Sequence, residues 1–319
     1  MFKTKSKFVK RFVSWLAVLA FILSTALITY GYKISDRIPT WAQVYSLFGL
    51  NLEEHQRISK YPFTVSAIDV GQGDSIFVTL REKGKPQFNI LIDAGKPEYA
   101  ENVIAYLKLY NVKKIDLMIG THPHDDHIGG MPAIMDSFEV EKMLLPKLEN
   151  EAQQELVSLA KSKGIAVEER IFTKTESIDI DNMNIQLLGP VYTSENINDM
   201  SIIARISYKK VSFLFTGDSE ALEEYTLLGL ESQGGTSLLK SDVLKVGHHG
   251  SKTSSTLGFL KAVNPKYAVI SCGRNNEFGH PNEEVVNRLE DMHIKIYRTD
   301  SLGSIVIGTD GEKISIKNT

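Results

Sequence analysis

The sequence predicts an α/β protein in which two sheets pack together with helices outside, preceded by one apolar N-terminal helix. Three observations carry this. Strand-like and helix-like stretches alternate over about 260 residues, the mark of a layered α/β architecture. The second half of that region repeats the order of the first. At the start of the chain, five basic residues (Lys3, Lys5, Lys7, Lys10 and Arg11) precede an uncharged run from Phe12 to Tyr32.

The elements follow in order. At a helical rise of ~1.5 Å per residue the uncharged run reaches roughly 30 Å, the thickness of a bilayer's hydrocarbon core. It reads as a single-pass anchor, residues 1–32 with their basic flank. The apolar run continues past Ser24-Thr25-Ala26, the alternative signal-peptidase site, and Tyr30 and Tyr32 suit the membrane boundary. The basic flank stays in the cytoplasm by the positive-inside rule, so the remainder is expected outside the cell membrane. Residues 33–59, with Pro39 and the charged NLEEHQR, read as a connector in which His55 is merely solvated. Residues 60–319 form the domain. Its strands are expected in VSAIDV, SIFVTL, FNILID and KIDLMIG, with a helix from Glu98 to Tyr110. The second set lies in MNIQLLG, SIIARISY, VSFLFTG and DVLKVG, with a helix from Glu220 to about Leu230.

With 42% hydrophobic and 24% charged residues, 319 residues bury an ordinary core. The net charge is −3, and the five basic residues before Phe12 leave −8 on residues 33–319. No basic stripe of the kind that grips nucleic acid by its backbone is visible. The single Cys272, in YAVISCG, reads as a buried structural thiol.

The stretch THPHDDHIGG carries the chemistry. It follows a strand and places His122, His124 and His127 with Asp126 in six positions, although the chain has only 8 histidines. Pro123 stiffens the turn. Imidazoles and a carboxylate so spaced suit a divalent metal. A second strand runs straight into His248 and His249, so the doubled set suits two metals. Each candidate ligand follows a strand end, where loops carry function on a rigid support. Gly71-Gln72-Gly73 is followed by a strand and opens no helix, which makes it a tight turn and not a dinucleotide loop; no nucleotide cofactor is expected. The hydroxyls of Ser251, Thr253, Ser254 and Ser255 either cap a turn or face a phosphate, and His293 is expected exposed.

The set AIDVGQGDSIFV, LIDAG, THPHDDHIGG, FTGD, VLKVGHHGSKTSS and FGHPN, spanning about Phe63 to Thr319, resembles the hydrolase domain of the ComEC/Rec2 competence family among the metallo-β-lactamase fold hydrolases. The resemblance implies an αββα sandwich of two mixed sheets and two divalent metal ions, zinc or manganese. His122 and His124 would hold the first and Asp126 and His127 the second, with Asp218 bridging. One of His248 and His249 would complete the second position, with His248, directly after the strand, slightly preferred. Asp93 would support the cluster loop without touching metal, as a carboxylate behind metal-bound imidazoles does.

The fold's usual third histidine for the first metal is absent, since none lies between His127 and His248. Asn198, Asp199 or a water would stand there, shifting preference from zinc toward manganese or magnesium. His280 would position substrate or pass a proton to a leaving group, and Asp126 would share the catalytic work. Cations about 3.5–4 Å apart suit in-line displacement at phosphorus. The expected activity is therefore an exported, membrane-anchored phosphodiesterase or nuclease acting on nucleic acid, DNA included. An envelope phosphoesterase acting on phosphocholine or teichoic acid is the second reading, and a binding or scaffolding protein with a decayed metal site the third.

Overall fold

The computed structural model describes residues 14–16, 18–27, 60–82, 84–234 and 237–318. The chain divides into two units, Met1–Gln56 and Arg57–Thr319. Residues 14–16 and 18–27 are helical. Among the described residues no helix is long and apolar enough to cross a membrane. The other positions of the expected span, and the connector at 33–59 with His55, lie outside the described residues.

In the second unit, β1 (Phe63–Ala67), β2 (Ile76–Glu82) and β3 (Lys85–Ile92) form an antiparallel meander. Helix α1 (Ala100–Leu109) follows, starting two residues later than the sequence pattern suggests because a 3-10 turn at Pro97–Tyr99 takes up the first turn. The stretch KIDLMIG is broken into β4 (Lys114–Ile115) and β5 (Leu117–Ile119) at Asp116, whose carboxylate accepts the Asn89 N–H at 2.8 Å. Next come α2 (Asp125–Ile128), α3 (Met131–Ser137), β6 (Glu139–Val140), β7 (Lys142–Pro146), α4 (Glu151–Ser162) and β8 (Ala166–Arg170). β5, β7 and β8 extend the sheet from β3 in parallel.

The second half repeats this logic. β9 (Glu176–Ile180), β10 (Met183–Gly189), β11 (Ile203–Tyr208) and β12 (Val211–Phe215) are antiparallel. After α5 (Ala221–Gly234), β13 (Val243–Lys245), α6 (Leu257–Val263), β14 (Tyr267–Ile270), α7 (Glu283–Asp291) and β15 (Lys295–Arg298) continue in parallel. A short helix, α8 (Thr299–Leu302), leads to β16 (Ile305–Thr309) and β17 (Ile314–Asn318), which return to the first sheet with β16 against β1.

Two mixed sheets of eight and seven strands result. Strand alternation sends one face of each inward, where Val65, Val78, Ile90, Ile185, Ile206 and Phe213 share a core. Phe63 of β1 reaches Tyr208 and Phe213 of the other sheet, with ring centroids 5.3 and 5.5 Å apart. Truncating it to alanine would cost about 3–5 kcal/mol. A second apolar cluster joins the first sheet to α1, α3 and α4, and a third joins the other sheet to α5, α6 and α7. The layers are therefore helix, sheet, sheet, helix, and the loops after β5, β12 and β13 converge on one site.

Candidate metal centre

The histidine loop is held from behind. Asp93, at the end of β3, accepts from Thr121 N (2.8 Å) and Thr121 Oγ1 (2.7 Å), and its Oδ2 lies 2.7 Å from His127 Nδ1. That fixes the loop and leaves His127 Nε2 facing the site. The loop also packs without clearance: a Cβ on Gly73 would fall 2.3 Å from Asp126 O, and one on Gly130 2.3 Å from Ala94 O.

Asp218 follows β12, its N–H taken by Ser201 Oγ at 3.0 Å. Its Oδ2 is ringed by four imidazole Nε2 atoms: His127 at 3.3 Å, His249 at 3.4 Å, His248 at 3.8 Å and His122 at 3.9 Å. Burial opposes its charged form, yet His249 and His127 outweigh this and hold the carboxyl well below the usual range. Burial likewise opposes a charged His127, but Asp218 and Asp93 push it well above the usual imidazole value. His122, buried and next to His127, is held well below it.

The structure separates the histidine pair. His249 is fully buried, its Nδ1 2.9 Å from Ser271 O and its Nε2 3.5 Å from Asp126 Oδ2 and 3.4 Å from Asp218 Oδ2. His248 is partly exposed, with Nδ1 2.9 Å from Glu220 Oε1. Asp126, His127 and His249 bring ligand atoms within reach of one cation, and it is His249, not the slightly preferred His248, that joins them: the chain turns through two consecutive left-handed residues, φ 45° and 52°, and the second imidazole is the buried one. At the first position, His124 Nδ1 lies 2.9 Å from His122 Nε2, and His122 groups with His127 and Asp218.

Several buried atoms here lack a hydrogen-bond partner: His127 Nε2, His249 Nε2, Asp218 Oδ1 and Asn198 Oδ1. Unpartnered polar atoms converging in a buried site are costly, and with the imidazoles neutral the donor set fits divalent cations. Asn198, expected at the first position, lies beside His248, its amide nitrogen 3.5 Å from His248 Nδ1. Its amide nitrogen donates to Glu220 Oε1 at 3.1 Å, leaving the oxygen free. Asp199 is committed elsewhere, accepting from Glu220 N at 2.9 Å.

His280 lies near the pair, edge-on to the His248 ring at 5.4 Å and tilted against that of His249 at 6.3 Å. Burial, then these two rings, push its pKa down to about 4. It is neutral at neutral pH. Ser254 Oγ donates to Gly247 O at 2.7 Å and Ser251 Oγ lies 3.0 Å from Thr253 Oγ1, so these hydroxyls shape the loop, while the buried Ser255 Oγ has no partner. Cys272 is buried and burial raises its thiol to about 11; His293 is exposed.

Three contributors escaped the sequence reading. Glu220 orients His248, Ser271 orients His249 through its carbonyl, and a buried Asp74–Lys245 pair stands behind the second position. Of these residues Asp74, an acid after the Gly-Gln-Gly turn, and Lys245, a lysine at an inward strand position, carried a signal.

The sequence profile of the Metallo-beta-lactamase superfamily matches residues 68–274. ComE operon protein 3 of Bacillus subtilis (strain 168) is 30% identical over 261 residues, 76% of this chain and 32% of that protein. Competence protein ComA of Neisseria gonorrhoeae is 31% identical over 275 residues, 84% and 35%. Recombination protein 2 of Haemophilus influenzae is 28% identical over 270 residues, 82% and 31%. The chain spans about a third of the length of these curated relatives.

Proposed function

The chain belongs to the metallo-beta-lactamase superfamily, and from that premise we propose that it is a metal-dependent phosphodiesterase acting on nucleic acid. The observation that carries this is the ring of four imidazoles around Asp218, with orphaned nitrogen and oxygen atoms aimed at one place. His122, His124 and Asn198 would hold one cation, Asp126, His127 and His249 the other, and Asp218 both. When bound, the two ions would acidify water and draw charge from phosphoryl oxygens.

The chain's own residues do the rest. Asp93 and Ser271 fix the ring orientations of His127 and His249, and Glu220 that of His248. His280, held neutral, offers a hydrogen bond to a substrate oxygen and is a poor proton donor. A reaction at phosphorus needs no side-chain nucleophile, and neither the buried Cys272 nor Ser251 and Ser254, whose hydroxyls are bonded within their loop, presents one. The nucleic-acid substrate rests on the likeness to proteins named for competence and recombination.

The same reading places the domain outside the cell on a single-pass anchor. Trp15, Leu16, Leu19, Phe21, Ile22, Leu23 and Leu27 are each at least 50% exposed in the described helical residues, an apolar surface suited to lipid. The test is turnover of bis-p-nitrophenyl phosphate and of a labelled DNA oligonucleotide after adding manganese or zinc. Asp218→Ala should abolish both and lower bound metal while leaving the fold; full activity in that variant overturns the dinuclear site.

A second reading has its own observation: the −8 charge on residues 33–319 disfavours a polyanion and suits phosphocholine or teichoic acid. Preferential cleavage of phosphocholine esters over DNA in the same screen would select it.

A further inference from the structure

Lys245 breaks the pattern of its strand. Val243 faces the core between the sheets, and alternation sends residue 245 the same way, where an apolar side chain belongs. Instead a lysine lies there, 2% exposed at its side chain, which is rare unless the charge is paired. Its Nζ is 2.7 Å from Asp74 Oδ2 and donates to Val246 O at 2.8 Å. Asp74 in turn is tied into the metal centre. Its N–H donates to Asp126 O (3.1 Å), its carbonyl accepts from Gly95 N (2.8 Å), and its Oδ1 lies 3.6 Å from His249 Nδ1. Its carboxylate clusters both with Asp93 and His127 and with Asp218 and His249. Asp74, Asp93, Asp126 and Asp218 therefore crowd one small volume, of which only Asp126 has appreciable exposure. Three buried carboxylates and a fourth partly exposed one cannot be gathered together without compensating charge.

We propose that Lys245 is a positioning residue, a resident cation that through Asp74 keeps the second metal position assembled before a divalent ion arrives. The inference rests on reading that position as a metal site. It differs from a purely structural ion pair in one respect: the charge of the pair acts on an incoming cation as well as on the fold.

Thermal unfolding of the full chain, with chelator and with manganese, separates the two. Lys245→Met leaves Asp74 buried and uncompensated, so the chelated protein should lose about 10 °C. Manganese should then raise its Tm by more than it raises that of the parent. Asp74→Asn leaves a bare ammonium beside the site, and its gain from manganese should be smaller than the parent's. The Asp74→Asn/Lys245→Met double variant, neutral at both places, should recover chelated stability over Lys245→Met and respond to manganese like the parent. If Lys245→Met does not fold, a smaller gain in Asp74→Asn than in the double variant still supports the proposal, and equal gains overturn it. Equal gains in all four proteins would likewise reduce the pair to a structural one. A parent with no gain from any divalent metal would remove the metal site itself, and this inference with it.

Discussion

Glu223 offers a quantitative test away from the metal ligands. It lies in the first turn of α5, fully buried; Oε1 accepts the Val191 N–H at 3.0 Å while Oε2 has no partner. Burial first, opposed by the Val191 N–H, and then the neighbouring Asp199 raise its pKa from 4.5 to about 7. The native state therefore holds this proton more tightly than the unfolded chain does. The stability it confers is fully present below about pH 4.5 and is lost as pH rises through about 7. A difference of this size corresponds to about 3 kcal/mol, undiminished by solvent because the side chain is enclosed. Glu223→Gln keeps the shape and the acceptor but cannot ionise. Urea unfolding of both proteins from pH 4 to pH 9 should give nearly equal stabilities at the acid end. Above pH 8 the variant should be more stable by up to about 3 kcal/mol, roughly 6–12 °C in Tm. Carboxylates remote from Glu223 cancel in the comparison, so the difference reports Glu223 together with its coupled neighbour Asp199. Parallel stability profiles across that range would show that Glu223 is not held protonated, and would refute the burial argument.

His249→Ala should lower bound metal measured by elemental analysis, whereas His248→Ala, whose ring is partly exposed and paired with Glu220, should retain more of it; the reverse order would restore His248 to the second position. After chelation, activity should return better with manganese than with zinc, since Asn198 offers an oxygen where most of the fold offers nitrogen. Asn198→His should shift that preference toward zinc, with Glu220 placed to accept from the new ring's second nitrogen; equal zinc activation in both proteins would exclude residue 198 as a ligand. Protease added to intact cells should digest the domain from outside, and a folded product retained in the cytosol would contradict the proposed topology.

The histidine loop was legible because its chemistry is local: His122, His124, Asp126 and His127 fall within six residues, and one turn after β5 brings them together. The strands around it were legible for a similar reason, since alternation writes each buried face into the sequence. What escaped notice depends on chain direction and on contacts far apart in sequence. Nothing in the order GHHG reveals that both histidines adopt left-handed backbone angles and that the second turns inward. Asp74 and Lys245 are 171 positions apart and pair only because β13 ends beside the turn that follows β1. Lys245 was visible in retrospect as a lysine in an inward register, and such a violation is informative in itself. A core position tolerates a charge only when the surroundings supply its opposite, so a misplaced lysine at a strand end beside two histidines is a pointer to buried acids. The acid it pairs with, Asp74, donates its N–H to the carbonyl of Asp126, one of the acids that would receive the metal. On this argument the lysine and the divalent ion answer the same excess of negative charge, one fixed by the fold and the other drawn from solution.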